Sequence, residues 1–251
     1  MPTLLISVSN LQEYETVAQA GVDVIDLKSP SAGPMGMVKE SVIADVLAAK
    51  QQHGPVNSQM SLALGELEEW NPARQWPEIL NTFDYLKVAP RCGEQTELEQ
   101  WNDCLRRLVE QSQVTDDLES SPQWIAVAYA DDELAGTPSI EHMLPQLDAL
   151  PLSGLLLDTW NKKGPGLLHY YSAEQLKSFC ERCHEKGLLF GLAGQLKAEE
   201  MLPLSDCADV IGCRGAVCEQ SDRGRAVSAE KLRELIQRWR DAESVSLFPN
   251  V

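Results

Sequence analysis

Short apolar runs alternate along the chain with longer stretches whose apolar residues fall three or four positions apart. Runs rich in valine, isoleucine and leucine are typical of strands buried on both faces of a parallel sheet, and the longer stretches are typical of amphipathic helices. The runs predict eight strands, at residues 3–8, 22–28, 56–64, 83–90, 124–129, 153–158, 188–193 and 208–212.

Helices are predicted between the strands, where a capping residue precedes the apolar spacing. Asn10, Ser172 and Ser228 are suitable N-caps, and Gly21 and Gly187 are suitable helix ends. Caps and spacing together predict helices at residues 11–20, 39–52, 73–82, 94–113, 139–147, 173–185, 197–202 and 229–240. The polar and acidic stretch 114–123 is predicted to be a surface loop.

This alternation of strand and helix defines the expected fold class. Eight strands and eight helices in 251 residues, with no linker that divides the chain, predict an α/β protein, a single (β/α)₈ TIM barrel with one domain over 1–251. An open doubly wound sheet is the alternative, but it would normally carry a glycine-rich fingerprint after its first strand, and residues 8–10 contain no glycine.

Charge and hydropathy restrict the partners and the location. The formal net charge is −17 at pH 7, whereas nucleic-acid binding depends on clustered lysines and arginines. No segment reaches the roughly 20 apolar residues of a membrane helix, and the N-terminus lacks the pattern of a signal peptide. We therefore expect a cytoplasmic protein without a nucleic-acid or membrane partner, and basic strand ends suited to a small anionic ligand.

The cysteines and histidines do not have the spacing of a metal site. Seven irregularly spaced cysteines predict reduced thiols in a chain without a signal. Cys180 and Cys183 have CxxC spacing, but they lie in a predicted helix without a second pair, which favours ordinary helix residues. Four scattered histidines argue against a catalytic metal.

Charged residues lie where several predicted strands end, which is where the active site of a β/α barrel is found. These residues are Asp26, Lys28, Lys87, Asp131 and Asp158. Lysines gathered in a dry pocket lower one another's pKa, which makes one amine available to attack a carbonyl group and form a Schiff base. Aspartates beside them can hold an ammonium group and transfer protons. A purely structural ion-pair network is the alternative.

The loops after strands seven and eight are the usual phosphate site of this fold. Gly194 follows strand seven, and Arg214 and Gly215 follow strand eight. Glycine turns leave backbone N–H groups accessible to an anion, and arginine adds a forked cation. Arg223 and Arg225 offer a second anion contact or a mobile lid, although such polar segments are more often solvated loops.

Six motifs resemble the (5-formylfuran-3-yl)methyl phosphate synthases, also called 4-(hydroxymethyl)-2-furancarboxaldehyde-phosphate synthases, of methanofuran biosynthesis. The similarity spans nearly the whole chain and is carried by residues 26–30 (DLKSP), 85–88 (YLKV), 129–131 (YAD), 157–159 (LDT), 192–194 (LAG) and 212–216 (GCRGA). The chain departs from the family pattern at 114–123 and after Asp241.

The resemblance implies a cofactor-independent lyase that joins two molecules of glyceraldehyde 3-phosphate and releases one phosphate and water. Lys28 would form the Schiff base, Asp158 would act as acid and base, Lys87 would assist, and Asp26 would orient Lys28. A lysine after strand six would also assist, and counting from Asp158 favours Lys162 over its neighbour Lys163. The implied substrate- and phosphate-binding residues are Gly194, Arg214, Gly215 and Asp131.

Two other functions remain open at this point. A lysine-dependent (class I) aldolase for another phosphorylated sugar would use the same Lys28 and the same phosphate loops. A non-catalytic barrel that binds a sugar phosphate would have no reason to keep lysines and aspartates at its strand ends. Because barrels of this size often associate, we expect a homo-oligomer.

Overall fold

The computed structural model describes residues 1–52, 57–70, 74–90, 98–112 and 121–247. Eight parallel strands form a closed barrel in chain order, and β8 pairs with β1. The strands are β1 (Thr3–Val8), β2 (Val24–Leu27), β3 (Gln59–Glu66), β4 (Tyr85–Ala89), β5 (Gln123–Tyr129), β6 (Gly154–Asp158), β7 (Leu189–Leu192) and β8 (Val210–Cys213). The predicted TIM-barrel fold is confirmed.

The described α-helices follow the strands on the outside of the barrel. They are α1 (Leu11–Ala20), α2 (Glu40–Gln52), α3 (Leu98–Ser112), α4 (Asp132–Ala135), α5 (Ile140–Met143), α6 (Ala173–His184), α7 (Ala198–Met201) and α8 (Ala229–Leu247). The capping predictions at both ends of helices are confirmed at several positions. The side chains of Asn10 and Ser172 accept from the backbone N–H groups of Glu13 and Gln175, and Gly21 ends α1 with a φ of 70°.

The helix predicted at 73–82 is wrong. The described part of the β3–β4 connection contains only short 3₁₀ helices, Leu67–Glu69 and Glu78–Thr82. Proline disfavours helical geometry in the residue before it, and Pro77 immediately precedes the second of these helices. The side chain of Trp76 donates to Asn81 Oδ1 at 2.8 Å, which fixes the irregular approach to that helix.

Two other helices differ in extent from their predictions. The helix predicted at 139–147 begins at its Ser139 cap but remains α-helical only over Ile140–Met143 and continues as a 3₁₀ helix, Leu144–Ala149. Pro145 lacks the N–H group that a continuing α-helix would use. The last helix continues past the predicted residue 240 to Leu247. The short helix α4 was not predicted.

Several predictions fall outside the described residues. They include the start of the third strand at residue 56, the first residues of the helix predicted at 94–113, and residues 114–120 of the predicted surface loop. Gln123 of that loop belongs to β5.

The core has an outer and an inner part. The outer part packs the strands against the helices, and the inner part fills the barrel with small and large side chains that include Ala63, Val127, Tyr129 and Leu156. Side chains alternate along each strand, so the register decides which residues point into the barrel. Ser7 lies beside Asp26, and Ala63 lies beside Lys87. The charged residues at the strand ends therefore share the inward face.

Aspartates fasten the N-terminal end of the barrel. Asp23, Asp84 and Asp209 each immediately precede a strand, and each carboxylate accepts the backbone N–H of a residue at the start of a neighbouring strand. The acceptor distances are 2.8 Å from Leu4 N, 2.7 Å from Met60 N and 2.8 Å from Phe190 N. Such contacts at this end of a barrel support stability.

None of the described helices is both long enough and apolar enough to cross a membrane.

Candidate active site

The charged residues predicted at the strand ends meet at the C-terminal mouth of the barrel. Lys28 immediately follows β2, Lys87 lies in β4, and Asp158 is the last residue of β6. Lys28, Lys87 and Asp158 are buried, with 7%, 3% and 1% of their surface exposed. The parallel strands bring together residues that are far apart in sequence.

Asp26 and Lys87 form one buried ion pair. Lys87 Nζ lies 2.6 Å from Asp26 Oδ1, and Ser7 Oγ donates to Asp26 Oδ2 at 2.9 Å. Asp26 therefore pairs with Lys87, whereas the resemblance implied that it orients Lys28. Burial lowers the pKa of Lys87, the charge of Asp26 opposes this effect, and the charge of Lys28 adds to it.

Asp158 holds two lysines with one carboxylate. Lys28 Nζ lies 3.1 Å from Asp158 Oδ2, and Lys162 Nζ lies 2.5 Å from Asp158 Oδ1. The backbone N–H of Thr159 also donates to Oδ1, at 2.8 Å. Lys28 Nζ lies 3.4 Å from the sulfur of Met35 on its other side. Lys28 and Lys162 are thus gathered around a single acidic group.

Burial and charge shift the pKa values of this group in a way that separates the roles of its members. Burial opposes ionisation of Asp158, but the charges of Lys162 and Lys28 outweigh it and hold the pKa of Asp158 below its usual range. Burial, with the charges of Lys28 and Arg223, lowers the pKa of Lys162 to about 7 although Asp158 opposes the shift. Asp158 therefore remains a carboxylate at neutral pH, and Lys162 exchanges protons readily there.

The loop after β6 determines which lysine enters the site. Lys162 reaches Asp158, whereas Lys163 is exposed. Asp131, predicted at the substrate, is buried and accepts the backbone N–H groups of Trp160 at 2.6 Å and Asn161 at 2.8 Å. Through these two hydrogen bonds, Asp131 fixes the loop that carries Lys162.

Gln195 connects this loop to the one after β7. Its side-chain amide donates to the backbone oxygens of Asn161, Gly164 and Pro165 at 3.0–3.3 Å. Gly194 before it has a φ of 98°, and a Cβ there would lie 3.0 Å from Thr159 Cγ2. A glycine is therefore required where the two loops approach each other.

A cavity of about 720 Å³ opens above the lysines. Its wall includes Lys28, Lys87, Asp158, Lys162, Gly194 and Gly215. Five lysines and three arginines line this cavity, against four acidic residues. A pocket with an excess of cations in a protein of net charge −17 is suited to an anionic ligand.

Arg214 lines the cavity but is bound to the protein itself. Its Nη1 and Nη2 lie 2.8 and 3.0 Å from the two carboxylate oxygens of Glu13. The pKa of Glu13 is lowered because the Arg214 guanidinium outweighs the effect of burial. Of the predicted phosphate contacts, Gly194 and Gly215 line the cavity with their backbones, and Arg214 serves a buried ion pair.

Three residues at the site were not predicted: Ser7, Glu13 and Thr159. Ser7 and Thr159 lie at the ends of predicted strands, and that position was an available signal. Glu13 lies in an ordinary helical pattern, and nothing in its sequence context indicates that it pairs with Arg214. Arg223 was predicted, together with Arg225, to offer a second anion contact or a mobile lid.

A separate cluster lies at the N-terminal end of the barrel. His184 Nε2 lies 2.9 Å from Asp209 Oδ2 and 3.6 Å from Cys180 Sγ. These three residues form the one group of three potential metal ligands in the described ranges. Burial raises the pKa of Cys180 to about 11 and that of Cys183 to about 12, so both thiols are protonated at neutral pH. The six cysteines in the described part of the chain are free thiols.

The chain is similar in sequence to a family of known proteins. A family model described as 4-HFC-P synthase matches residues 4–236. The chain is 30% identical over 247 residues to the (5-formylfuran-3-yl)methyl phosphate synthase of Methanopyrus kandleri, covering 94% of this chain and 98% of that protein. It is 29% identical over 239 residues to the Methanosarcina barkeri synthase of the same name, covering 93% and 97% of the two chains.

A solved structure supports the fold alone. Phosphoribosyl anthranilate isomerase from Thermotoga maritima superimposes with a TM-score of 0.61 at 12% sequence identity, covering 96% of this chain and 100% of that one.

Proposed function

Because this chain belongs to the 4-HFC-P synthase family, we propose that it converts two molecules of glyceraldehyde 3-phosphate into (5-formylfuran-3-yl)methyl phosphate. Two trioses supply the six carbons of the product, four in the furan ring and two in its substituents. The atoms balance when one phosphate and two molecules of water leave. The product would enter methanofuran biosynthesis.

One observation carries this proposal: the amine of Lys28 lies 3.1 Å from Asp158, whose other oxygen contacts Lys162. A nucleophilic amine must lose its proton before it attacks a carbonyl carbon. Lys162, with a pKa of about 7, is the member of this group that can accept and return protons at neutral pH. Asp158 keeps the two amines together in its charged form.

The reaction would begin at Lys28. Its amine adds to the carbonyl carbon of a triose phosphate, and loss of water leaves a protonated imine. The imine draws electrons from the adjacent carbon, so a base can remove a proton there to give an enamine. The enamine carbon is nucleophilic, and an enamine is the form in which a carbon–carbon bond to a second triose can be made.

Lys87 and Asp26 would form a second pair in the same cavity. Burial lowers the pKa of Lys87, and the neighbouring Asp26 opposes this shift and favours the charged form, which could donate to a substrate oxygen. Developing negative charge on a carbonyl or leaving oxygen is stabilised by such a buried cation. Elimination of phosphate and water requires donors of this kind.

The test is borohydride trapping during turnover. Reduction of the protein with glyceraldehyde 3-phosphate should give one covalent adduct on the peptide that contains Lys28, and the untrapped reaction should yield a furan phosphate. Lys28→Arg should abolish both results, whereas Lys163→Gln, on an exposed neighbour of Lys162, should preserve them.

Other outcomes would contradict the proposal in different ways. An adduct on Lys28 without a furan would indicate a class I aldolase with another phosphorylated substrate. An adduct on Lys87 would assign the nucleophile to that residue. No adduct and no product would favour a sugar-phosphate-binding barrel.

A further inference from the structure

We propose that Arg223 binds a phosphate group of the substrate and that the ion pair between Glu13 and Arg214 positions the loop that carries Arg223. The proposal deepens the function proposed above, since it names a phosphate subsite in the same cavity. The ligand class is a phosphate monoester.

Arg214 has no donor left for a ligand. A guanidinium has five N–H groups. In Arg214, Nη1 donates to Glu13 Oε2 at 2.8 Å and to Ser7 O at 3.1 Å, and Nη2 donates to Glu13 Oε1 at 3.0 Å and to Arg225 O at 3.2 Å. The fifth donor, on Nε, contacts Arg223 O at 2.7 Å. A phosphate would have to displace one of these contacts.

The same contacts hold the loop between β8 and α8. Two of the five N–H groups of Arg214 donate hydrogen bonds to the backbone oxygens of Arg223 and Arg225. These hydrogen bonds hold the loop against the end of β8. An antiparallel bridge between Cys218 and Val227 closes the base of the loop. The side chain of Asp222 accepts the N–H of Gly224 at 2.9 Å and tightens the turn. The side chain of Arg223 is therefore presented by a fixed backbone.

The two arginines of this loop have opposite environments. Arg225 is exposed and lies 3.8 Å from the carboxylate of Asp222. Arg223 is half-buried in the cavity wall that also contains Lys28, Asp158 and Lys162. Within the described ranges, no carboxylate lies within ion-pair distance of Arg223. A guanidinium turned into a pocket without a carboxylate partner is a site for an anion.

The electrostatics at Arg223 agree with that reading. Burial lowers the pKa of Arg223, the charge of Asp158 opposes this, and the charge of Arg214 adds to it. The charge of Arg223 also contributes to lowering the pKa of Lys162, which places the two groups in the same electrostatic field. A phosphate dianion would neutralise this excess of positive charge, and a guanidinium fork matches two phosphate oxygens.

The position of Arg223 suits a phosphate that is carried by a triose bound at Lys28. Gly215 and Ala216, which follow β8, also line this cavity. Arg223 would hold one end of the substrate while the carbonyl end reaches the lysine group. This arrangement fixes the reacting carbon without placing a charge on it.

Trapping with two aldehydes separates binding of phosphate from chemistry at Lys28. We would compare borohydride trapping by glyceraldehyde 3-phosphate and by glyceraldehyde, which lacks the phosphate, in the wild-type protein and in Arg223→Gln, Arg223→Lys and Arg225→Gln. Arg223→Gln should raise the concentration of glyceraldehyde 3-phosphate needed for half-maximal trapping by about 10- to 100-fold, because a charge-assisted contact is lost. Trapping by glyceraldehyde should change less than twofold.

The conservative and control variants sharpen the result. Arg223→Lys should recover part of the affinity, since it restores the charge but not the fork. Arg225→Gln should behave like the wild type with both aldehydes. An equal loss with both aldehydes, or no change with either, would overturn the assignment of Arg223.

The role of the Glu13–Arg214 pair is tested by a double-mutant cycle. Glu13→Gln should weaken use of glyceraldehyde 3-phosphate through KM more than through kcat, and the double variant Glu13→Gln/Arg223→Gln should bind no more weakly than Arg223→Gln alone. Additive losses would show that Glu13 acts elsewhere. Thermal unfolding identifies a variant that fails to fold, in which case Glu13→Asp replaces Glu13→Gln in the cycle.

Calorimetric titration with inorganic phosphate keeps this proposal distinct from the proposed reaction. If the wild-type protein traps neither aldehyde, the proposed function fails, yet Arg223 is still tested. Phosphate should bind the wild type and Arg225→Gln alike and bind Arg223→Gln at least tenfold more weakly. Equal binding by all three proteins would overturn the proposed subsite.

Discussion

Asp158 shows how one buried carboxylate can hold two lysines together. Its carboxylate contacts Lys28 and Lys162 at the same time, and burial prevents water from weakening either contact. Burial lowers the pKa of Lys162 to about 7, and the charge of Lys28 adds to this shift although the charge of Asp158 opposes it.

The pH dependence of activity should report Lys162. Because neutral Lys162 is needed to take a proton before Lys28 attacks, kcat/KM should rise as pH increases through about 7. An arginine at position 162 cannot lose its charge. In Lys162→Arg the increase of kcat/KM with pH should therefore disappear, and kcat should be about 10²- to 10⁴-fold lower than in the wild type. The measurement is the pH–rate profile between pH 5.5 and 9. Lys163→Arg is the control, and a wild-type profile that is flat around pH 7 would contradict the assignment.

Among the structural elements, the loop after β6 is held in place by a residue from the end of the neighbouring strand. Asp131 lies at the end of β5 and accepts two backbone N–H groups of the next loop, at Trp160 and Asn161. Lys162 follows directly. The contact crosses from one strand end to its neighbour and fixes the path of a segment that has little regular structure of its own.

Asp131→Asn should therefore impair activity by displacing Lys162. An amide can accept only with its oxygen, so one of the two backbone N–H groups loses its partner. We expect a loss of about 1–3 kcal/mol in the free energy of unfolding and a decrease of about 10²-fold in kcat. Urea unfolding and steady-state kinetics would measure the two effects. Glu133→Gln, on an exposed residue close by, should change neither quantity. An unchanged kcat in Asp131→Asn would show that Asp131 does not determine the position of Lys162.

For the molecule as a whole, the ion pair between Glu13 and Arg214 joins the two ends of the barrel sequence. Glu13 belongs to α1 and Arg214 follows β8, 201 residues later. Both side chains are less than 10% exposed, and the contact lies where β8 pairs with β1 to close the barrel. It links closure of the fold to the shape of the cavity wall.

Loss of this ion pair should affect stability in a pH-dependent way. The folded state lowers the pKa of Glu13 below its ordinary value near 4.5, so the ion pair stabilises fully above that value and is lost as pH falls through the lower, folded pKa. Glu13→Gln should cost about 3–5 kcal/mol at pH 7, because Arg214 remains buried without its partner. The difference from wild type in urea unfolding should shrink below pH 4.5. Glu243→Gln, which is exposed, should match wild type, and a difference independent of pH would exclude the ion pair as the cause.

Much of this architecture is determined by the sequence itself. Apolar runs that alternate with amphipathic helices are typical of a parallel sheet covered by helices, and this alternation predicts the barrel and places Lys28, Lys87 and Asp158 at one end of it. Capping residues such as Asn10 and Ser172 act within a few residues of their own position, so they too are predictable. The helix predicted at 73–82 is absent from the described part of the β3–β4 connection because Pro77 disfavours helical geometry in the residue before it.

The tertiary structure alone decides which charged groups pair. The sequence allows Asp26 to pair with either Lys28 or Lys87. In the folded barrel, Asp26 forms its ion pair with Lys87. Asp131 and Arg214 are charged residue types that often bind ligands. In this protein they form hydrogen bonds with other parts of the chain, Asp131 with the backbone of Trp160 and Arg214 with Glu13. Arg223 lies in an unremarkable polar loop, and only the folding of that loop against the end of β8 turns it into the cavity. Ion pairing depends on distances between side chains far apart in the chain, and those distances exist only once the barrel has closed.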